Sequence, residues 1–204
     1  MVKSGVIRCE DAVSPGYETS TDGELLSAAR NGQKEAFRGL VDRHKDILVN
    51  YLTRLTGCHD RAEDLAQDAF VRLYSSADNY EDRGFLRAYL FRIATNLLRS
   101  EERRETRWRR LSPLLVNSNG HSTAPGEQEK ELLENEIGDV VGRAIAALPL
   151  RYRAPLLLHE IQGWPYREIG LTLGCREGTV KSRIHRGRRL LRHGLEDYWR
   201  GGKS

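Results

Sequence analysis

Apolar residues recur at three- and four-residue intervals along this chain, and strand-like alternation is absent throughout. That spacing does most to narrow the folds open to it. The first ordered element opens at Thr21-Asp-Gly-Glu24, a capping box in which Thr21 and Glu24 each satisfy the other's backbone N–H. Phe37, Leu40, Val41, His44, Ile47, Leu48, Tyr51, Leu52 and Leu55 then form one stripe, with Gly57 as a stop. A third helix starting near Asp60 lines up Ala62, Leu65, Ala66, Ala69, Phe70 and Leu73. A fourth carries Phe85, Leu86, Tyr89, Leu90, Ile93, Ala94, Leu97 and Leu98. Asn117–Gln128, NSNGHSTAPGEQ, reads as linker. Periodicity resumes with Ile137, Val140, Val141, Ala144, Ile145 and Leu148, halted by Pro149; a further helix ends near Gly163, and two shorter ones follow. The expectation is an all-α chain of two small helical domains joined by a flexible linker. Their bounds are a tail over 1–20, a four-helix unit over 21–107, a linker over 108–131 and four short helices over 132–199.

At 204 residues, with 30% charged against 39% apolar, the chain suits small domains with thin cores. Its 33 basic and 29 acidic residues leave a net +4, so the average says little about partners. The distribution says more. Arg83 to Arg110 holds nine arginines and three glutamates, and Arg176 to His193 holds seven basic residues and one acid, so each block carries +6. Asp60–Asp68 carries four acids and one Arg, or −3. Two basic blocks point to two polyanion contacts and the acidic one to a separate basic partner. Cys9, Cys58 and Cys175 are far apart and form no metal-binding spacing with the six histidines; free thiols in a reducing cytosol are expected, with no metal and no cofactor. No stretch has the apolar length of a membrane span, and MVKSGVIRCEDAVSPG lacks a signal peptide's hydrophobic core, so a cytoplasmic protein is expected.

Tyr166–Gly174 followed by Cys175–Arg183 reads as helix, tight turn, helix, with Ile169, Leu173, Val180 and Ile184 as its small core and Gly174 at the turn. In the second helix Val180, Ile184, Gly187 and Leu191 face inward. At about 100° per residue this turns Ser182, His185, Arg186 and Arg189 outward, flanked by Lys181 and Thr179. Such a face suits the major groove, where Arg and Lys read guanine edges and Ser or Thr contacts phosphate. A plain helical hairpin with a solvated basic side explains the charge but not the turn.

On the third helix Asp60, Asp64 and Asp68 stand at i, i+4 spacing beside Glu63, with only Arg61 and Arg72 near enough to relieve them. A solvated acidic helix start is one reading. Phe70 and Val71 on the same stretch favour a docking surface with an apolar edge. On the fourth helix the face away from the apolar stripe carries Arg92, Thr95, Asn96, Arg99 and Arg103, preceded by the loop Asn79-Tyr-Glu-Asp-Arg-Gly84. Arginines interleaved with aromatics and an amide suit single-stranded DNA, with a base held out of the stack. Tyr89, on the apolar stripe, reads as core; for Tyr80 and Asn96 both readings stay open.

These segments together resemble the extracytoplasmic-function (ECF) sigma factors of bacterial RNA polymerase. The matching stretches are Ala62-Glu-Asp-Leu-Ala-Gln-Asp-Ala-Phe-Val-Arg-Leu73, Phe85-Leu-Arg-Ala-Tyr-Leu-Phe-Arg-Ile-Ala-Thr-Asn96, and Gly163-Trp-Pro-Tyr-Arg-Glu-Ile-Gly through Glu177-Gly-Thr-Val-Lys-Ser-Arg183. They run in order and at family spacing over roughly Gly23–Arg104 and Glu136–Tyr198. The resemblance implies a non-enzymatic factor that brings RNA polymerase core to particular promoters and helps melt them. It implies that region 2 docks on the β′ clamp helices through Glu63, Asp64, Gln67, Asp68, Phe70 and Arg72. Asn79, Tyr80, Arg83, Arg92, Asn96 and Arg99 would hold the minus-ten strand and its flipped base. Region 4 would bind the β flap and read duplex minus-thirty-five DNA. There Lys181, Ser182, His185 and Arg186 face the bases, with Arg176, Thr179, Arg183 and Arg189 flanking. An anti-sigma factor is an expected regulator.

Departures from the family pattern are Arg176 where Ser or Pro is usual, Tyr89 for Trp, Gly170 for Ala, and Pro155 inside a region 4 helix, where its ring predicts a kink. A response-regulator-like helix-turn-helix protein would explain Tyr166–Arg192 but leave the acidic and Arg-aromatic helices idle. A nuclease would need clustered acids or a metal near the basic faces, whereas Glu101, Glu102 and Glu105 look like partners of neighbouring arginines. A protein-only adaptor predicts no salt-dependent affinity for DNA.

Overall fold

The capping box at Thr21 starts the chain's ordered course. Thr21 N–H donates to Glu24 Oε2 at 2.7 Å and Glu24 N–H to Thr21 Oγ1 at 3.3 Å, which fixes where α1 (Asp22–Arg30) begins. In the computed structural model the described residues are 19–111 and 140–201, with side chains described for 19–108 and 140–196. Most of the expected tail and most of the expected linker lie outside them.

α2 (Lys34–Thr56) and α3 (His59–Ser75) follow, then a 3-10 turn (Ala77–Asn79) and α4 (Leu86–Leu111). α2 packs on α1 and α3, and α3 on α4. The buried stripe of α3 is Ala62, Leu65, Ala66, Ala69, Phe70 and Leu73. Small alanines on such a stripe allow close helix approach, and leucines between them fill the interface. Of the α2 stripe, Ile47 is the residue that stays open, at 38% exposure. Tyr51 is fully buried and its hydroxyl meets Thr95 Oγ1 at 3.1 Å, so the polar tip is satisfied inside the core. Burial holds its phenol well above the usual tyrosine range.

The second unit comprises residues 140–146 (α5), α6 (Leu150–Glu160), α7 (Tyr166–Leu173) and α8 (Glu177–Gly201). α8 packs on both α6 and α7. It runs for 25 residues, so the last of the four expected short helices is a long one. α6 continues through Pro155, which is buried. Arg153 is 8% exposed and caps α5: its guanidinium donates to Ala146 O at 2.6 Å and reaches Glu102 of α4 at 3.4 Å. All elements among the described residues are helical.

The two units touch. α7 lies on α4 and α6 on α2. Trp164, 2% exposed, packs its ring on Phe91 of α4 at 4.7 Å between centroids. Arg87 adds to that contact, with its guanidinium 4.3 Å over Trp164 and 2.7 Å from Glu168.

Candidate nucleic-acid and docking faces

The inward stripe of α3 leaves a defined outward side. Asp64, Gln67, Asp68 and Arg72 are exposed there or close to it, and Glu63 has His59 at 3.8 Å. Val71, 64% exposed, and Tyr74, 49% exposed, carry the face onward. Phe70 corrects the expectation for this surface: at 6% exposure it belongs to the core, because position 70 falls on the Ala66–Leu73 stripe. Val71 and Tyr74 take over its role as the apolar edge. Arg61 does not relieve the acids; it pairs with Glu101 of α4 at 3.0 Å. Among the described residues Asp60, Asp64 and Asp68 form no ion pair. Acids without partners beside exposed apolar carbon suit a basic protein partner.

The second face is built on the loop entering α4. Asn79 and Arg83 are exposed, Arg83 with Glu81 at 2.8 Å. Tyr80 is half-buried, its ring 4.9 Å from that of Tyr89, whose hydroxyl donates to Ser76 Oγ at 3.3 Å. Burial first, and the charge of Asp82 second, push the Tyr80 phenol up to about 12, so it stays a neutral stacking ring. On α4 Arg92 and Asn96 are exposed, and Arg99 donates to Asn96 Oδ1 at 3.1 Å. Thr95 does not belong on this face. It is 1% exposed, and its hydroxyl donates to Phe91 O at 2.8 Å. A cleft of about 160 Å3 opens between Tyr80, Arg83, Phe85, Tyr89 and Arg92, and Leu171 of α7 stands on its rim.

The third face is α8 behind the α7 turn. Gly174, with φ +63°, ends α7 in the left-handed region that glycine enters at no steric cost. Gly170 is equally constrained: a Cβ there would stand 2.7 Å from Cys175 O, so the alanine usual in the family does not fit this turn unchanged. Val180 and Ile184 are buried and Gly187 lies against Tyr152. Lys181, Ser182, His185, Arg186 and Arg189 lie on the open side of α8. Arg176, before the helix, is exposed and Thr179 is half-buried. Ser182 Oγ donates to Thr179 O at 2.9 Å, and Arg183 turns back to Cys175 Sγ at 3.7 Å, off the groove side.

Three features escaped the sequence reading. Arg87 and Glu168 pair across 81 positions of chain, and nothing in either segment's spacing marks them. An apolar groove of about 430 Å3 lies between α5 and α8, lined by Val140, Ala144, Leu148, Leu190 and Leu195. The α5 stripe was legible by itself, but not its divergence from α8. The third is the set of contacts that Trp164 makes with Phe91 and Arg87. Neither a metal-binding group of His, Cys, Asp and Glu nor a helix long and apolar enough to cross a membrane occurs among the described residues.

A helix-turn-helix with an open basic side, an Arg-aromatic cleft and an exposed acidic helix face suit a DNA-binding factor that works with a protein partner. The family description Sigma-70 region 2 matches residues 40–109, and Sigma-70, region 4 matches residues 139–191. The chain is 34% identical over 185 residues to the ECF RNA polymerase sigma factor SigE of Mycolicibacterium smegmatis, covering 89% of this chain and 70% of that one. It is 33% identical over 178 residues to SigW of Bacillus subtilis, covering 84% and 95%. Two solved structures share the fold. The complex of CnrH with the cytosolic domain of CnrY matches with TM-score 0.64 and 26% identity, over 86% of this chain and 97% of that one. The sigma factor RpoE bound to the anti-sigma factor NepR from Bartonella quintana matches with TM-score 0.62 and 27% identity, over 78% and 96%. The chain belongs to the ECF sigma factors. It is accordingly an alternative sigma factor, a transcription-initiation subunit and not an enzyme.

Proposed function

We propose that each of the three faces performs one step of initiation. Residues 21–107 act as region 2 and 132–199 as region 4, joined through 108–131. Asp64, Gln67, Asp68 and Arg72, with Val71 and Tyr74 as apolar edge, dock on a basic surface of the polymerase β′ clamp. Arg92 and Arg99 hold the backbone of the melted minus-ten strand, Asn96 reads a base edge, and the Tyr80 cleft takes the base that leaves the stack. The open side of α8 enters the minus-thirty-five major groove through Lys181, Ser182, His185 and Arg186, with Arg176 and Arg189 on phosphates. The groove between α5 and α8 receives an apolar segment of the β flap. The work is done in the cytoplasm, where core polymerase and promoters are.

One observation carries this reading: among the described residues Asp60, Asp64 and Asp68 form no ion pair, and Lys181, Ser182, His185, Arg186 and Arg189 are exposed, so both faces are left for other molecules. That the related RpoE structure holds the anti-sigma factor NepR supports such a protein as the regulator here. In holoenzyme, Asn96→Ala should leave core binding intact and reduce open-complex formation, because only separated strands present a base edge to it. Permanganate reactivity of the minus-ten thymines at wild-type level would refute the assignment.

A further inference from the structure

α1 touches the loop of the minus-ten face at both ends of that loop. At its C-terminal end Arg30 clamps the loop's entry, with Nε 3.3 Å from Asp78 Oδ1 and Nη2 donating to Asp78 O at 3.3 Å. At its N-terminal end the Asp82 carboxylate sits directly on Gly23, in the space a Cβ would occupy; a side chain there would overlap Asp82 Oδ2 and Cγ. Asp82 is not free to swing away without consequence. Its Oδ1 accepts the Gly84 N–H at 2.9 Å, closing the turn that delivers the chain into α4. The positive end of the α1 dipole favours a carboxylate at this place. α1 is itself anchored to α2, since Asp22 takes Arg43 at 2.7 Å and the buried His44 at 2.8 Å. Tyr80 and Arg83, which line the cleft, lie between the two clamps or beside them.

We infer that α1 is a brace for the minus-ten loop and that Gly23 is a positioning residue, setting the loop's height above α4 by admitting Asp82. The inference rests on the proposed minus-ten role of this loop. By helix propensity alone alanine is the better residue at position 23, so a merely structural role predicts a more stable and unimpaired Gly23→Ala protein. The brace predicts the reverse for function. The added methyl group pushes Asp82 off the helix end, the Gly84 turn opens, and Tyr80 leaves its place in the cleft.

The test is a double-substitution cycle in reconstituted holoenzyme. It reads the ratio of open-complex rates on the preferred promoter and on one altered at the flipped minus-ten base. Gly23→Ala should leave core affinity unchanged and lower that ratio by about tenfold. In the Asp82→Ala background, already impaired by loss of the Gly84 contact, Gly23→Ala should change it less than about twofold. Tyr80→Ala is the reference for the loop's own role. If Tyr80→Ala lowers the ratio while Gly23→Ala does not, or Gly23→Ala acts equally in both backgrounds, the brace is overturned. If Tyr80→Ala also leaves the ratio unchanged, the minus-ten reading of the loop falls, and the brace's function with it.

Discussion

The contact between α4 and α7 has a direct consequence for how the free chain behaves. Leu171 stands on the rim of the Tyr80 cleft, and Arg167 lies 5.5 Å over Phe85, so the closed pair covers part of the face assigned to melted DNA. Parting the two units would uncover the rest of that face. Glu168→Arg is the sharpest way to part them. Arg87 and Glu168 are 2.7 Å apart with side chains 40% and 27% exposed, so solvent screens the pair and its attraction is worth roughly 0.5–1 kcal/mol. Reversing one sign replaces that attraction with repulsion of similar size, a change of about 1–2 kcal/mol. Since about 1.4 kcal/mol is tenfold, the ratio of open to closed chains should rise by roughly 5–30-fold. Small-angle scattering of the isolated protein at low salt should then show a larger radius of gyration for Glu168→Arg. The swap Arg87→Glu/Glu168→Arg should restore most of the compaction, although it gives up the cation–π contact with Trp164. A Glu168→Arg profile superimposable on wild type, or a swap as expanded as the single variant, would refute the reasoning.

Asp64→Lys/Asp68→Lys should abolish co-purification with core polymerase, because two like charges brought against a basic clamp cost several kcal/mol, on the order of a thousandfold in affinity. Wild-type yield would end the docking assignment. Arg186→Ala should cost about 1–3 kcal/mol on the preferred minus-thirty-five sequence and little on a scrambled one, measured as holoenzyme affinity on promoter variants. An equal loss on both would make it a backbone contact. Arg189→Ala should instead weaken all promoters alike and lower the salt slope by about one.

The helices were legible because each unit's core is read from single-helix stripes: the α3 stripe expected from spacing is residue for residue the buried set. The outward faces followed by subtraction, which is why Lys181, Ser182 and His185 fell on the open side of α8. The same subtraction failed for Thr95, at the border between faces, whereas Phe70, already on the α3 stripe, was drawn onto the docking face by its acidic neighbours and by the resemblance. At such a border a rotation of one position decides between core and solvent, and the tertiary partners of Thr95, Tyr51 among them, come from another helix. The contact between units was not legible at all. Arg87 counts as one arginine among nine in its block, and its partners Trp164 and Glu168 lie beyond the expected linker. Gly23 was legible only as a member of the capping-box stretch; the carboxylate that requires a glycine there comes from the far side of α2 and α3 in the chain.

The central claim, that one chain reads two promoter elements through two separate faces, is tested most directly by transcript sequencing. Holoenzyme reconstituted from core and this chain is given a library randomised across both elements. The account predicts that selected templates share a minus-thirty-five and a minus-ten sequence at fixed spacing. Arg186→Ala should relax only the first and Asn96→Ala only the second. Selected templates that share one element alone, or two elements that both relax with either substitution, would contradict it.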